Sequence, residues 1–331
     1  YDKKNRKRQW NINLGLDYYT SASSDKIDPA FWSTASAQDY RFYPAITHTI
    51  VDDRKGISVS GNVAYSIESD YISYGFGGSF SKKSKDKSRE FTGKAQCYLD
   101  IVKIILPIEL RTMYTGGLPG YSNDHDYPWK SRNTFSTSFS LTQIVNRQFQ
   151  LMFLLDLAYQ QGILNLPFHR VYFKDNPDSA NLPKAELLPS SRFKLPVGIR
   201  ASYFLGDRIV LRSYYRYYED SWGLAAHTAD IETAIKFTPF LSVTPFYRFY
   251  TQNGIKYFAP YSQHAIAEKY YSSNYELSNF DSHFMGIGFR FAPPKGILGI
   301  PTFSMLEMRY GHYITTNTLV SDIISLQLKF K

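Results

Sequence analysis

The stretch Ile57-Ser58-Val59-Ser60-Gly61-Asn62-Val63-Ala64-Tyr65-Ser66-Ile67 decides the fold class. Apolar Ile57, Val59, Val63, Tyr65 and Ile67 alternate with small or polar Ser58, Ser60, Asn62, Ala64 and Ser66. A period of two sends the two sets to opposite faces of a β-strand. Its length also matches the roughly 9–11 residues a tilted strand needs to cross a bilayer. A soluble half-buried sheet shows this once or twice, but here it recurs along the whole chain. Trp10, Ile12, Leu14, Leu16 and Tyr18 make one apolar row, and Phe135, Phe139 and Leu141 another. Phe149, Leu151, Phe153, Leu155, Leu157 and Tyr159 make a third, and Leu195, Val197, Ile199, Ala201 and Tyr203 a fourth. Such repetition predicts a closed sheet with one apolar and one polar side.

The alternation predicts fourteen strands: 9–20, 39–51, 57–68, 71–81, 90–100, 131–145, 148–160, 192–205, 208–220, 223–237, 241–252, 282–292, 302–314 and 322–331. Connections sort by length. Short turns fall at Asp52–Gly56, Lys82–Ser88, Val145–Arg147, Gly206–Asp207, Thr238–Phe240 and Pro293–Gly296, and long segments at 21–38, 101–130, 161–191 and 253–281. Short periplasmic turns and long outer loops are the rule for transmembrane up-and-down antiparallel β-barrels. The expectation is one barrel domain over residues 1–331 in the outer membrane of a Gram-negative bacterium. Two stretches strain the scheme. Ile101–Thr112 is apolar enough for a strand, and Lys82–Arg89 is long for a tight turn.

Composition agrees. Aromatic residues make up 17% of the chain, with 28 Tyr and 24 Phe. Amphipathic rings are favoured at the lipid–water boundary. The longest apolar stretch, Leu151–Leu157, contains Asp156 and is strand-sized, which excludes a helical membrane protein. The single Cys97 rules out an intramolecular disulfide and sits at an apolar alternation position between Ala95 and Leu99. The formal charge of +9 is scattered rather than gathered into a nucleic-acid-binding patch. Contact with anionic outer-membrane lipid and lipopolysaccharide, or an anion-friendly lumen, fits it better. No secretory leader is visible before the first strand, so a removed leader is expected. The ending Leu326-Gln327-Leu328-Lys329-Phe330-Lys331 resembles the closing-strand signal of barrel assembly, displaced by one residue.

Four segments carry a family resemblance: Asp17-Tyr18-Tyr19-Thr20-Ser21-Ala22-Ser23-Ser24-Asp25, Leu166-Pro167-Phe168-His169-Arg170-Val171-Tyr172-Phe173, Ser191-Arg192-Phe193-Lys194-Leu195-Pro196-Val197-Gly198-Ile199-Arg200, and Tyr214-Tyr215-Arg216-Tyr217-Tyr218-Glu219-Asp220-Ser221-Trp222-Gly223. Through them the chain resembles an outer-membrane barrel family of Bacteroidota-type bacteria known only as a domain of unknown function. The resemblance implies gene company with a small lipoprotein, a thioredoxin-like protein and a flavin transferase. It also implies a hairpin upstream of Tyr1, which would make sixteen strands. It supplies no catalytic residues.

With apolar positions given to lipid, the polar partners face the lumen. These are Asp156, Arg200, Arg212, Arg216, Asp230, Glu232, Lys236, Arg248, Arg290, Glu307, Arg309 and Lys329, with an excess of four positive charges. Two readings compete: a water-filled, anion-favouring channel, or a network of ion pairs that rigidifies and closes the lumen. The loop 161–191 is the second candidate. Its Phe168, His169, Arg170 and Tyr172 suggest a plug, a partner-docking segment or packing on the rim. Asp175, Asn176 and Asp178, like Asn123, Asp124 and Asp126, have calcium-like spacing. They read better as turns, so no metal is expected.

Enzyme motifs are absent: no Gly-x-Ser-x-Gly, His-Glu-x-x-His, phosphate loop or Cys-x-x-Cys. His227 and His312 fall on apolar faces and His283 near a strand end. Tyr214, Tyr215, Tyr217, Tyr218 and Trp222, with Phe246, Tyr247, Phe249 and Tyr250, are expected to form an outer aromatic girdle. The expected function is non-enzymatic and cofactor-free. It is either a pore for small polar or anionic solutes or a scaffold barrel working with a lipoprotein or envelope redox partner. A barrel hydrolase is the alternative.

Overall fold

The computed structural model describes residues 7–20, 38–104, 128–176 and 183–330. Their strands are β1 Arg8–Thr20, β2 Gln38–Asp52, β3 Ile57–Ile67, β4 Tyr71–Lys83, β5 Arg89–Lys103, β6 Trp129–Ile144, β7 Phe149–Gly162, β8 Arg170–Val171, β9 Lys184–Ala185, β10 Ser191–Leu205, β11 Ile209–Asp220, β12 Ala225–Thr238, β13 Leu241–Gln252, β14 Phe280–Phe291, β15 Phe303–Thr315 and β16 Val320–Phe330. All but β8 and β9 join one fourteen-stranded antiparallel sheet in which each strand pairs with its neighbours in sequence. This is an up-and-down β-barrel fold. The short β8 and β9 pair with each other inside the long connection from β7 to β10.

Among the described residues the sheet does not close: β1 and β16 are its two edges. Alternation assigns each residue a face, but edge pairing depends on backbone bonds to a specific neighbour, which the side-chain pattern does not encode. Ladders also break where proline withholds a donor. Pairing of β2 with β3 skips Pro44, β10 with β7 skips Pro196, and β12 with β13 skips Pro245.

The strained stretches resolve physically. β5 runs on to Lys103, so the apolar stretch beginning at Ile101 starts as strand, and residues 105–127 lie outside the described residues. β4 and β5 extend toward each other and leave a turn at 84–88. There the Asp86 carboxylate accepts from the Ser84 hydroxyl at 2.5 Å, the Ser88 hydroxyl at 2.7 Å and the Ser88 N–H at 3.2 Å. Those three bonds, in that order, hold its carboxyl down at about 2.

Among the described residues the sheet buries few large apolar side chains. Its apolar rows stay exposed, as at Leu14, Phe153 and Ile287. Packed apolar clusters lie instead around the long-loop ends. One gathers Leu188, Trp222, Leu224, Ala226 and Ile255, another Val171, Phe173 and Tyr271.

Candidate functional site

Two constructions carry polar chemistry: the polar face of β10 to β15, and the cap formed by the loops after β7 and β13. On the face, Glu232 accepts from Arg212 at 2.8 Å and from Arg309 at 3.0 Å. Arg212 is its register partner on β11. Arg309 reaches it from β15, across β13 and β14. That reach is open because Gly288 stands opposite Arg309 in the register. Close to it, a Cβ on Gly311 would meet the Phe284 ring at 2.4 Å, so only glycine lets that ring lie against the wall. Arg309 also lies 4.8 Å over the Phe246 ring. Asp230 accepts from Arg248 through both Nε and Nη2 at 2.8 Å.

The other predicted face residues are placed as follows. Arg200 lies 5.3 Å over Tyr214, and Arg216 lies 5.7 Å over Tyr218. Arg290 Nε donates to Met305 Sδ at 3.2 Å, although Glu307 is its register partner. Asp156 stands opposite Ser138, Lys236 opposite Ser242 and Lys329 opposite Met305. The register therefore puts all twelve on the face opposite the apolar rows, and brings five of them, Arg212, Asp230, Glu232, Arg248 and Arg309, into ion pairs.

The expected girdle divides. Tyr215 pairs with Ile199 and Tyr247 with Ile231, on the apolar face. Tyr214, Tyr218, Phe246 and Tyr250 share the arginines' face, because consecutive residues of a strand point opposite ways. Trp222 is buried in a packed cluster, its Nε1 donating to Ser191 O at 3.0 Å. On the apolar face, the Tyr215 hydroxyl bonds His227 Nδ1 at 2.7 Å and that of Tyr247 bonds His283 Nδ1 at 2.8 Å.

Sequence reasoning missed the ion pair of Arg192 with Asp220. The Asp220 side chain is fully buried and also accepts from the Tyr218 hydroxyl and Trp222 N–H, each at 2.8 Å. It missed the cap's polar centre too. His264, Glu186 and Ser272 are all but inaccessible. His264 Nε2 donates to Ser272 O at 2.9 Å, and its Nδ1 lies 2.6 Å from Glu268 Oε2. Burial pushes the Glu268 carboxyl up, but the Ala265 N–H and His264 outweigh it and hold it below its ordinary value. Glu186 accepts from the Ser272 hydroxyl and, at 2.7 Å, from Leu166 N–H. The hydroxyl thus serves Glu186 rather than the imidazole, which is not the geometry of an activated nucleophile.

The four loop candidates border this centre. Phe168 is exposed, with the His169 ring 5.0 Å from it. Arg170 lies in β8 and is also exposed, and Tyr172 packs on Tyr261 at 5.0 Å. Phe168 also lines a cavity of about 430 Å³ with Arg41, Glu68, Asp70, Arg132 and Pro167. Asp175 Oδ1 accepts from Ile266 N–H at 2.8 Å, a loop-to-loop tie. Asp178, Asn123, Asp124 and Asp126 lie outside the described residues.

Residues 50–297 match the family described as "Protein of unknown function (DUF3570)". The chain belongs to that family. The DUF3570 match takes in three of the four resemblance segments; the segment 17–25 lies before it. No curated protein matches the chain. Among solved structures, a mutant of the ferric enterobactin receptor PfeA from Pseudomonas aeruginosa aligns with TM-score 0.54 and 8% identity, over 93% of this chain and 49% of that one. CdiB from Acinetobacter baumannii aligns with TM-score 0.47 and 13% identity, over 97% of this chain and 60% of that one. The siderophore receptor PirA from Pseudomonas aeruginosa aligns with TM-score 0.49 and 9% identity, over 89% and 51%. The chain thus spans about half to three fifths of these structures' length. At such identities the likeness concerns the fold, and the PfeA alignment supports a barrel.

Proposed function

We propose that this DUF3570 chain is a non-enzymatic barrel of a Gram-negative outer membrane that passes small anionic solutes along its polar face. The observation that carries this reading is charge. Of the twelve charged residues on that face, eight are basic and four acidic, and two of the acids, Asp230 and Glu232, are engaged by Arg248, Arg212 and Arg309. A water-filled passage lined this way attracts anions and repels cations. The apolar rows with their Tyr–His pairs would meet outer-membrane lipid and lipopolysaccharide. On this reading the short turns are periplasmic and the loop cap faces outward.

The test is single-channel recording of purified protein in a planar bilayer under a salt gradient. Steady current with a reversal potential favouring chloride is the expected outcome. Silence from correctly folded protein would sink the passage. It would leave the second reading, a scaffold barrel closed by its packed loops and working with a lipoprotein or envelope redox partner, as the resemblance to Bacteroidota-type barrels implies. The cap's loop-to-loop packing is the observation that favours that alternative.

A further inference from the structure

We propose that Arg200 and Arg216, with Tyr214 between them, form a binding station for a small oxyanion of the phosphate class on the polar face of β10 and β11. The inference rests on the reading of that face as an anion-favouring passage, and adds the place and the ligand chemistry.

Arg216 pairs with Gly198, and Arg200 with Tyr214, so the two arginines are diagonal neighbours on adjacent strands. Such Cα atoms stand about 7–8 Å apart, within reach of two long side chains converging on one anion. Gly198 makes the space. A Cβ there would come within 3.2 Å of Tyr214 Cε2 and 3.4 Å of its hydroxyl oxygen, so the ring lies low against β10. Each guanidinium carbon lies over a tyrosine ring, Arg200's over Tyr214 and Arg216's over Tyr218. Attraction to a ring face uses the cation's charge and involves no acceptor oxygen, so the N–H donors are left to a ligand.

No carboxylate answers these donors. Among the described residues neither arginine forms an ion pair, and the facing acids are committed elsewhere: Asp230 to Arg248, Glu232 to Arg212 and Arg309, Asp220 to Arg192. Asp156 also faces this region from β7, two residues beyond Leu154, the partner of Gly198. Two cations against that single carboxylate leave a local positive excess. Two planar forks suit a tetrahedral dianion, which offers oxygens to both at once, whereas a monocarboxylate can satisfy one fork.

Isothermal titration of the purified full chain in detergent, with inorganic phosphate as the probe in dilute chloride, tests the station. Wild type is expected to bind phosphate saturably. Arg200→Gln and Arg216→Gln should each weaken binding by about tenfold, and together abolish it. Arg200→Lys, which keeps the charge but not the fork, should also weaken it. Lys295→Gln, a charge loss in the turn after β14, should leave it unchanged. Absence of binding by wild type, unchanged binding by the two glutamine variants, or an equal loss in Lys295→Gln would overturn the station. Each variant is first shown to keep wild-type heat-modifiable mobility, so misfolding cannot mimic the loss. The two readings fail separately. A silent bilayer with arginine-dependent phosphate binding removes the passage alone, and anion-selective current without such binding removes the station alone.

Discussion

Phe153 in β7 and Phe173 in the loop that follows meet opposite surroundings. Phe153 is 48% exposed and stands in an apolar row on the sheet's outside, whereas Phe173 is 2% exposed and packs edge-on against Tyr271 at 5.0 Å. The wall keeps apolar groups on one face and polar groups on the other, the sorting that lipid would impose on a barrel's outer face under the proposed membrane reading. The cap follows water's rule, with apolar groups inside. Burying a polar group is costly unless it is bonded, and Glu186 and His264 are bonded. The same residue type therefore does different work on either side of Gly162, where β7 ends.

Three substitutions or conditions sharpen that contrast. The largest effect is expected from Phe173→Ala. It should cost the cap about 3–5 kcal/mol through lost burial and a cavity, read as faster protease cleavage of the loops, while the wall keeps its heat-modifiable mobility. Loss of membrane assembly in this variant would show that cap and wall are one cooperative unit. Next, Phe153→Arg or Ile199→Arg should impair assembly by about 2–4 kcal/mol if the position is near the midplane. Ser138→Arg, on the polar face opposite Asp156, should be tolerated. Equal effects at the two faces would break the inside–outside assignment.

The smallest effect concerns Asp86. Its carboxyl is held at about 2, against an ordinary 3.8. A depressed folded value contributes stability that is present above the ordinary value and lost as pH falls through about 2. The β4–β5 turn should therefore keep its amide protection at pH 3, and Asp86→Ala should remove that acid resistance. Hydrogen exchange of the Ser88 amide checks it. Protection that is the same in both proteins would argue that the turn is held by its strands alone.

The strand reading survived because a period of two is a local property. Each apolar residue of Ile57–Ile67 declares its face without reference to the rest of the chain, and the register carries that choice to the neighbouring strands. The same alternation assigned the faces of Arg200, Arg212 and Arg216. It misjudged the aromatic clusters where consecutive rings were lumped together, as at Tyr214 and Tyr215, and at Trp222, which packs into the cap beyond the strand's end. It could not reveal which charges pair. Arg309 and Glu232 are 77 residues apart and meet across two intervening strands. Glu186 and Ser272, 86 residues apart, belong to loops with no periodicity to read.

Sequence alone thus determined the fourteen strands of the sheet and their faces, since these follow from spacing along one chain. Tertiary structure alone decided which arginines are neutralised and which are left with their donors free, how the two long loops lock together, and that β1 and β16 are left as edges. Those outcomes depend on distances between strands and loops remote in sequence, and no local pattern carries such distances.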